Sequence, residues 1–183
     1  MVRPTLDNLP HHELPPTYGL RWYQPGDEAA WLAIHRAADP FHDFTPATFA
    51  AQFGSDPDLL AARQVYLCGA DGAALGTATA WFKADPTGQA WGLIHWVAIH
   101  PAWQGKGLAK PLLACICARL HALGYQRAYL STATVRLPAI NLYLQFGFVP
   151  TVGGESATAQ RAWQLIYQAL PHPAIAQFLQ THS

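Results

Sequence analysis

The chain has 183 residues, of which 51% are hydrophobic and 12% charged, and its formal net charge is zero. This length suits one domain with a substantial core, since a chain of this size buries roughly two thirds of its unfolded surface. A balanced charge argues against a nucleic-acid binder, whose affinity needs a surplus of cations facing phosphates. The composition therefore predicts a globular protein that acts on a small molecule or meets a modest protein partner.

The cysteines and the first residues of the chain indicate the cellular compartment of the protein. An odd number of cysteines without metal-like spacing indicates reduced thiols, and we interpret Cys68, Cys115 and Cys117 as small packing residues. Residues 1–17 form a proline-rich arm without the apolar core of a signal peptide. No apolar run approaches the roughly 20 residues that cross a membrane. We therefore expect a cytoplasmic protein that binds neither membrane nor nucleic acid.

The first half of the chain predicts a strand, two helices and a hairpin. Asp27 and Glu28 suit the positive end of a helix dipole, and Thr45 with Pro46 marks the start of a second helix. Asp71-Gly72 separates two β-rich runs, which is the strongest short-range hairpin signal. The predicted strands are Gly19–Gln24, Gln64–Cys68 and Ala73–Phe82.

The second half predicts a buried strand followed by further helices and strands. The run Trp91–Ile99 is apolar enough to be buried, and the proline of His100-Pro101 ends it. From Leu108 apolar residues recur at helical spacing up to Gly124, a suitable C-terminal cap. This order indicates a mixed α/β protein. The remaining predicted elements are a strand at Arg127–Ser131, a short helix at Pro138–Phe146, and strands at Phe148–Val152 and Ala162–Tyr167.

The stretch WQGKGLAK, Trp103 to Lys110, joins the buried strand to the long helix and contains a glycine pattern typical of phosphate loops. A Rossmann loop needs Gly or Ala where Lys110 stands, counting from Gly105. A Walker loop needs a wider glycine spacing and a hydroxyl residue after the lysine. The glycine loop of protein kinases lies in a hairpin, whereas a helical pattern follows here. These three classes fit poorly.

The pattern Q-x-x-G-x-A fits this stretch, from Gln104 to Ala109. It resembles the acetyl-CoA signature of the GNAT superfamily of acyl-CoA-dependent N-acetyltransferases. A second stretch, Pro138 to Phe148, is similar to the second signature of that family, in which a short helix carries a tyrosine and ends in Gly-Phe before a strand. Here the tyrosine is Tyr143. The resemblance extends over Gln64 to Tyr167.

The resemblance implies a GNAT-like fold over residues 1–183, as a single domain with a mixed, mostly antiparallel central sheet that is splayed in its middle and has helices on both faces. It also implies acetyl-CoA as co-substrate and no metal. The glycines would let the backbone approach the pyrophosphate, and amides of the first helical turn would bind it. The cofactor-binding residues that it implies are Val97 and Ile99 on the buried strand, and Gln104, Gly105, Lys106, Gly107, Leu108, Ala109 and Lys110 in the loop.

The resemblance also implies catalytic residues. Tyr143 matches the general acid that protonates the thiolate, which is a mediocre leaving group in a dry site. Family members often have a glutamate on the central strand, but Trp91–Ile99 contains no acid. His95 falls near that position, and its ordinary pKa of about 6.5 suits a base; a water-relayed proton is the alternative. Arg136 stands where the family often has an asparagine.

These features predict transfer of an acetyl group from acetyl-CoA to a primary amine by direct attack. The acceptor is a small-molecule, peptide or protein amine, and the protein is a monomer or a homodimer. His42 or Asp43 could meet the amine, but we prefer ordinary core and surface roles for the residues of this loop. The missing acid on the central strand favours a rival function, a non-catalytic acyl-CoA-binding or sensor module, whereas Tyr143 favours the enzyme. A nucleotide-binding protein would instead bind ATP or NAD.

Overall fold

The computed structural model describes residues 1–83, 91–152 and 156–182, which form one mixed sheet and its surrounding helices. A short 3₁₀ turn, Pro101–Trp103, follows the fifth strand. The strands are β1 (Val2–Arg3), β2 (Gly19–Trp22), β3 (Gln64–Cys68), β4 (Ala74–Lys83), β5 (Trp91–Ile99) and β6 (Ala128–Tyr129). The helices are α1 (Glu28–Ala38), α2 (Pro46–Phe53), α3 (Pro57–Ala61), α4 (Ala109–Ala122), α5 (Leu137–Gln145), α6 (Ser156–Ala169) and α7 (Pro173–Thr181).

The sheet opens between two of its strands. The strand order is β1-β6-β5-β4-β3-β2, in which β5 and β6 are parallel and all other neighbours are antiparallel. β5 pairs with β4 from Trp91 to Ile99, but with β6 only at Gly92 and Leu93. Beyond Leu93 the two parallel strands therefore separate and leave a gap. This geometry confirms the predicted fold class.

Two hydrophobic cores cover the two faces of the sheet. β3 shows the alternation: Val65 and Leu67 point into the core around α4, whereas Tyr66 and Cys68 point into the core around α1 and α2. Because both faces are covered, every residue of β3 is buried. Cys117 lies in the first core, where burial raises its pKa to about 12. The interpretation of the cysteines as packing residues is confirmed, since Cys115 also packs against that core.

β5 contains a bulge. On the two sides of the bulge, the alternation of side chains between the two cores has opposite phase. Thr79 pairs with His95, and Thr77 pairs with Ala98, so β5 has one extra residue over this interval. Trp96 sits in the bulge with a φ of 49°, a strained value for a non-glycine residue. As a result His95 and Trp96 both lie on the side of α1 and α2.

Most of the predicted elements are confirmed, and the C-terminal part differs. The hairpin of β3 and β4 turns through Gly72, whose φ is 80°. The predicted strand at Ala162–Tyr167 is wrong, because these residues lie in α6 and bury Trp163 and Ile166 one turn apart on the same face. Of the strand predicted at Phe148–Val152, only a single bridge at Val149 is present.

The first residues of the chain form β1, the strand at one edge of the sheet. β1 lies between β6 and Val149: Leu130 N donates to Met1 O at 3.0 Å, and Val2 N donates to Val149 O at 3.0 Å. Arg3 is buried and donates hydrogen bonds to the carbonyl groups of Phe146 and Asp7, which fastens β1 to the end of α5. In the described part of the chain no helix has the length and apolar character needed to cross a membrane.

Candidate active site

The loop before α4 has the backbone conformation that its glycines allow. Gly105 and Gly107 have φ values of 75° and 76°, in the left-handed region that favours glycine. Both are exposed, and no atom lies within 4 Å of the position that a Cβ would take on either residue. The loop therefore leaves open space beside its backbone.

The N-terminus of α4 carries free backbone amides. Leu108 caps the helix without a side-chain hydrogen bond, and none of the amides from Gly107 to Lys110 donates to another described residue. Pro111 follows in the first turn, where a backbone N–H would have no acceptor within the helix, so the missing N–H of proline costs no hydrogen bond. Free amides and the positive end of a helix dipole can together bind an anion such as a diphosphate. Leu108 contributes only backbone, because its side chain is buried in the core.

Two long side chains of the loop are held by neighbouring residues. Gln104 Nε2 donates to the carbonyl oxygen of Ile99 at 2.8 Å and so fastens the loop to the end of β5. Lys106 Nζ lies 4.2 Å from the centre of the Trp103 ring, a cation–π contact. Lys106 thus keeps a positive charge close to the free amides.

β5 directs backbone groups into the gap. Gly92 N donates to Arg127 O at 3.0 Å on the β6 side, whereas His100 N donates to Leu75 O at 2.8 Å on the β4 side. Alternation back from His100 directs the amides of Ile99 and Val97 towards the gap. The side chains of Val97 and Ile99 pack with the α4 core, and that of Ala98 packs on the other face.

His95 is tied to α2 through Gln52. Trp96 Nε1, which can only donate, lies 3.0 Å from Gln52 Oε1, and His95 Nε2 lies 2.9 Å from the same oxygen. His95 Nε2 therefore carries a proton, and Nδ1 is the nitrogen left to accept one. Burial lowers the pKa of His95 to about 4, so the ring is neutral at neutral pH.

Tyr143 lies on α5 with its ring buried beside Phe148, at a centroid distance of 6.0 Å. Its hydroxyl group makes no hydrogen bond to another described residue. Burial raises the pKa of Tyr143 to about 12, although the nearby charge of Arg136 acts in the opposite direction. The hydroxyl group therefore stays protonated at neutral pH, as a general acid requires.

Comparison with known proteins identifies the family to which this fold and its glycine loop belong. The model of the acetyltransferase (GNAT) family matches residues 21–148. The chain belongs to the GNAT family. The match spans most of the sheet, the loop before α4 and the helix that carries Tyr143.

Several relatives of this GNAT chain are known. Mycothiol acetyltransferases of Pseudarthrobacter chlorophenolicus and of an Arthrobacter species are 33% and 32% identical to it, over 77% and 76% of the chain. The chain spans only 45% of the length of either relative. A GCN5-related N-acetyltransferase from Sphaerobacter thermophilus superposes with a TM-score of 0.63 at 26% identity, covering 80% of this chain and 46% of that one. The ribosomal-protein-S18-alanine N-acetyltransferase of Escherichia coli shares the fold, with a TM-score of 0.60 at 20% identity over 74% of this chain and 79% of that one.

A cluster around Asp39 is a feature of this GNAT chain that sequence reasoning missed. Asp39 Oδ2 accepts hydrogen bonds from Arg136 Nη2 at 2.6 Å and from His42 Nδ1 at 2.8 Å. The cluster joins the end of α1 to the start of α5. Arg136 at the family's asparagine position was the one available signal, because its partner lies 97 residues away in the chain. Gln52 was missed because its partners, His95 and Trp96, also lie far from it in the chain.

A cavity of about 360 Å³ opens beside the end of β6 in this GNAT fold. Met1, Val2, Ile140 and Trp163 are among its lining residues. It lies on the β1 side of β6, whereas the gap lies on the β5 side. The two are therefore different features of the molecule.

Proposed function

We propose that this chain transfers an acetyl group from acetyl-CoA to a primary amine. The observation that carries the proposal is the row of free amides at the start of α4, which follows in the chain after the part of β5 that does not pair with β6. A phosphate-bearing ligand bound to these amides can extend a chain along β5. The names of the related mycothiol acetyltransferases favour acetyl transfer to a small molecule, although the chain spans less than half of their length.

Each part of acetyl-CoA has a proposed partner. Gly107, Leu108, Ala109 and Lys110 bind the diphosphate through their backbone amides, which Gly105 brings within reach. The positive charge of Lys106 adds long-range attraction. The amides of Val97 and Ile99 bind the pantetheine arm, as an added strand would be bound. Gln104 keeps this geometry by holding the loop against β5.

The proposed chemistry needs an acid and a base. Acetyl-CoA supplies the activated acyl group as a thioester. Tyr143 donates its proton to the departing sulfur, and its buried ring holds the hydroxyl group in its protonated form. His95 has Nδ1 available as an acceptor, while a water relay remains the alternative route for the proton of the amine. Both routes lead to an amide, free CoA and one proton when the acceptor arrives as an ammonium ion.

The rival function is a non-catalytic module that binds acyl-CoA. Calorimetric titration with acetyl-CoA and CoA, followed by detection of free thiol with a panel of primary amines, separates the two functions. The proposal expects saturable binding of both cofactors and release of thiol that depends on the amine. Binding without release would favour the rival, and absence of heat with either cofactor would overturn both. Saturable binding of ATP or NAD alone would indicate a nucleotide-binding protein.

A further inference from the structure

The Asp39 carboxylate orients the ring of His42. Its side chain is 7% exposed, and its two oxygens accept hydrogen bonds from Phe41 N, His42 Nδ1 and Arg136 Nη2. Burial acts to raise the pKa of Asp39, but these hydrogen bonds and the charge of Arg136 together hold it below its ordinary value. An ionised carboxylate only accepts hydrogen bonds, so Nδ1 of His42 carries the proton.

With its proton on Nδ1, the His42 ring has its lone pair on Nε2. The His42 side chain is 57% exposed, and Nε2 makes no hydrogen bond to another described residue. A carboxylate on one ring nitrogen and a free lone pair on the other is the arrangement of an oriented general base. His95 differs, because its ring is half-buried and Gln52 occupies one of its nitrogens.

His42 lies near the bulge of β5 and is linked through Asp39 to the N-cap of the helix that carries the proposed acid. Its ring centre is 6.2 Å from that of Trp96, at an interplanar angle of 90°. Val97, which follows Trp96, directs its amide into the gap. On the other side, Arg136 shares Asp39 with His42, forms the N-cap of α5, and lies near enough to Tyr143 for its charge to act on the hydroxyl group.

We propose that His42, oriented by Asp39, is the base that takes the proton of the acceptor amine. The inference rests on the proposed acetyl transfer. The amine nitrogen forms a bond to the thioester carbonyl carbon, and the bond from that carbon to sulfur breaks. His42 Nε2 takes the proton from the nitrogen, and Tyr143 gives its own proton to the sulfur. His42 then releases its proton to water, and Tyr143 regains one.

Four charged or titratable groups surround His42. They are Asp39, Arg136 and the adjacent Asp43, with His35 on the far side of Phe44. Arg136 draws on the same oxygen of Asp39 that binds His42. Removing the guanidinium would leave this oxygen to His42 alone, which stabilises the protonated ring. Asp39 and Arg136 are thus positioning residues, and their effect appears in the pH dependence.

The test is kcat/KM against pH for the wild type, His42→Gln and His95→Gln, with an amine that the wild type accepts. We expect His42→Gln to lower kcat/KM by about 10²- to 10⁴-fold and to abolish the loss of activity at low pH. We expect His95→Gln to keep that loss. Asp39→Asn should move the loss to lower pH, and Arg136→Met should move it to higher pH. Equal binding of acetyl-CoA by calorimetry controls for folding of each variant.

Each outcome has one meaning. A His42→Gln variant with the rate and pH profile of the wild type would overturn the inference alone. If the loss of activity at low pH disappears in His95→Gln but persists in His42→Gln, the base is His95. A folded wild type that binds acetyl-CoA yet releases no thiol with any amine would overturn the proposed function, and the inference with it.

Discussion

Gln52 Oε1 accepts a hydrogen bond from Trp96 Nε1 at 3.0 Å, which joins α2 to the bulge of β5. Because an indole N–H only donates, this bond fixes the orientation of the amide, and the same oxygen then receives His95 Nε2. Trp96 has a positive φ, so an external contact is needed to hold it. The strained part of β5 is thus fixed from a helix on one face.

Gln52→Leu should destabilise the protein, because it leaves the donors of Trp96 and His95 without their acceptor. We expect the free energy of unfolding to fall by about 1–3 kcal/mol, measured by urea denaturation. Gln145→Leu is the matched control, since Gln145 is exposed on α5 and makes no hydrogen bond to another described side chain. Equal stability of the two variants would show that the bulge does not depend on Gln52.

Gly76→Ala should displace the end of β5. A Cβ on Gly76 would lie 2.9 Å from Ala98 O and 3.0 Å from Ile99 Cγ1, and the first of these is backbone that cannot rotate away. We expect a loss of about 1–3 kcal/mol in unfolding free energy and weaker binding of acetyl-CoA by calorimetry. Gly19→Ala on β2 is the control, because no atom lies within 4 Å of its Cβ position. A variant with unchanged affinity would contradict the role of this part of β5 in the cleft.

Gly107→Glu should weaken binding of acetyl-CoA and CoA, because it places a carboxylate beside amides proposed to bind phosphate. The left-handed backbone adds about 1–2 kcal/mol of strain for a residue with a Cβ. Gly72→Glu carries the same charge at a φ of 80° in the β3–β4 turn, so it controls for strain and net charge. If both variants bind with the affinity of the wild type, the anion site lies elsewhere.

Tyr143→Phe should lower kcat by about 10²- to 10⁴-fold while acetyl-CoA still binds, because only the proton donor is removed. The raised pKa of about 12 means that wild-type activity should not fall through ionisation of Tyr143 below about pH 11. Tyr167→Phe, on the exposed side of α6, is the control for loss of a hydroxyl group. Equal turnover by Tyr143→Phe with an accepted amine would remove the general-acid role.

Stability should fall as the pH decreases below about 6.5. Burial lowers the native pKa of His35 to about 3 and that of His95 to about 4, whereas unfolded histidines bind protons near their ordinary pKa. The unfolded state therefore gains protons first, and each group contributes about 1.4 kcal/mol per pH unit between these limits. Urea denaturation at several pH values gives the unfolding free energy at each pH. The plot of this free energy against pH should have a shallower slope for His35→Leu than for the wild type. Identical slopes for this variant and the wild type would contradict the assignment to His35.

Local patterns predicted most of the sheet and the glycine loop before α4. The Asp71-Gly72 turn, the apolar run of β5 and the cap at Gly124 each act within a few residues, so short-range chemistry determines them. The error at α6 arose because AWQLIY was read alone. A longer window shows Ala159, Trp163, Ile166 and Leu170 at helical spacing, and the structure buries this stripe at least in part.

Contacts between residues that are distant in the chain could not be predicted from the sequence. Gln52 meets His95 across 43 positions, and Asp39 meets Arg136 across 97, so no local pattern marks either pair. The roles of Tyr143 and His95 stay predictions, as does a single domain over residues 1–183. The cytoplasmic location and the oligomeric state also stay predictions.

The position of β1 sets the order in which the sheet can be completed. The Met1 nitrogen lies 2.9 Å from a carbonyl oxygen 129 residues further along the chain, and the other side of β1 needs Val149. A ribosome would therefore have synthesised residue 149 before residues 1–3 could reach their native place. Long-range pairing of this kind slows folding, because a large loop must close before contacts offset its entropy. Until then the edge of β6 is exposed in the nascent chain, and this interval is where misfolding and rescue by chaperones would compete.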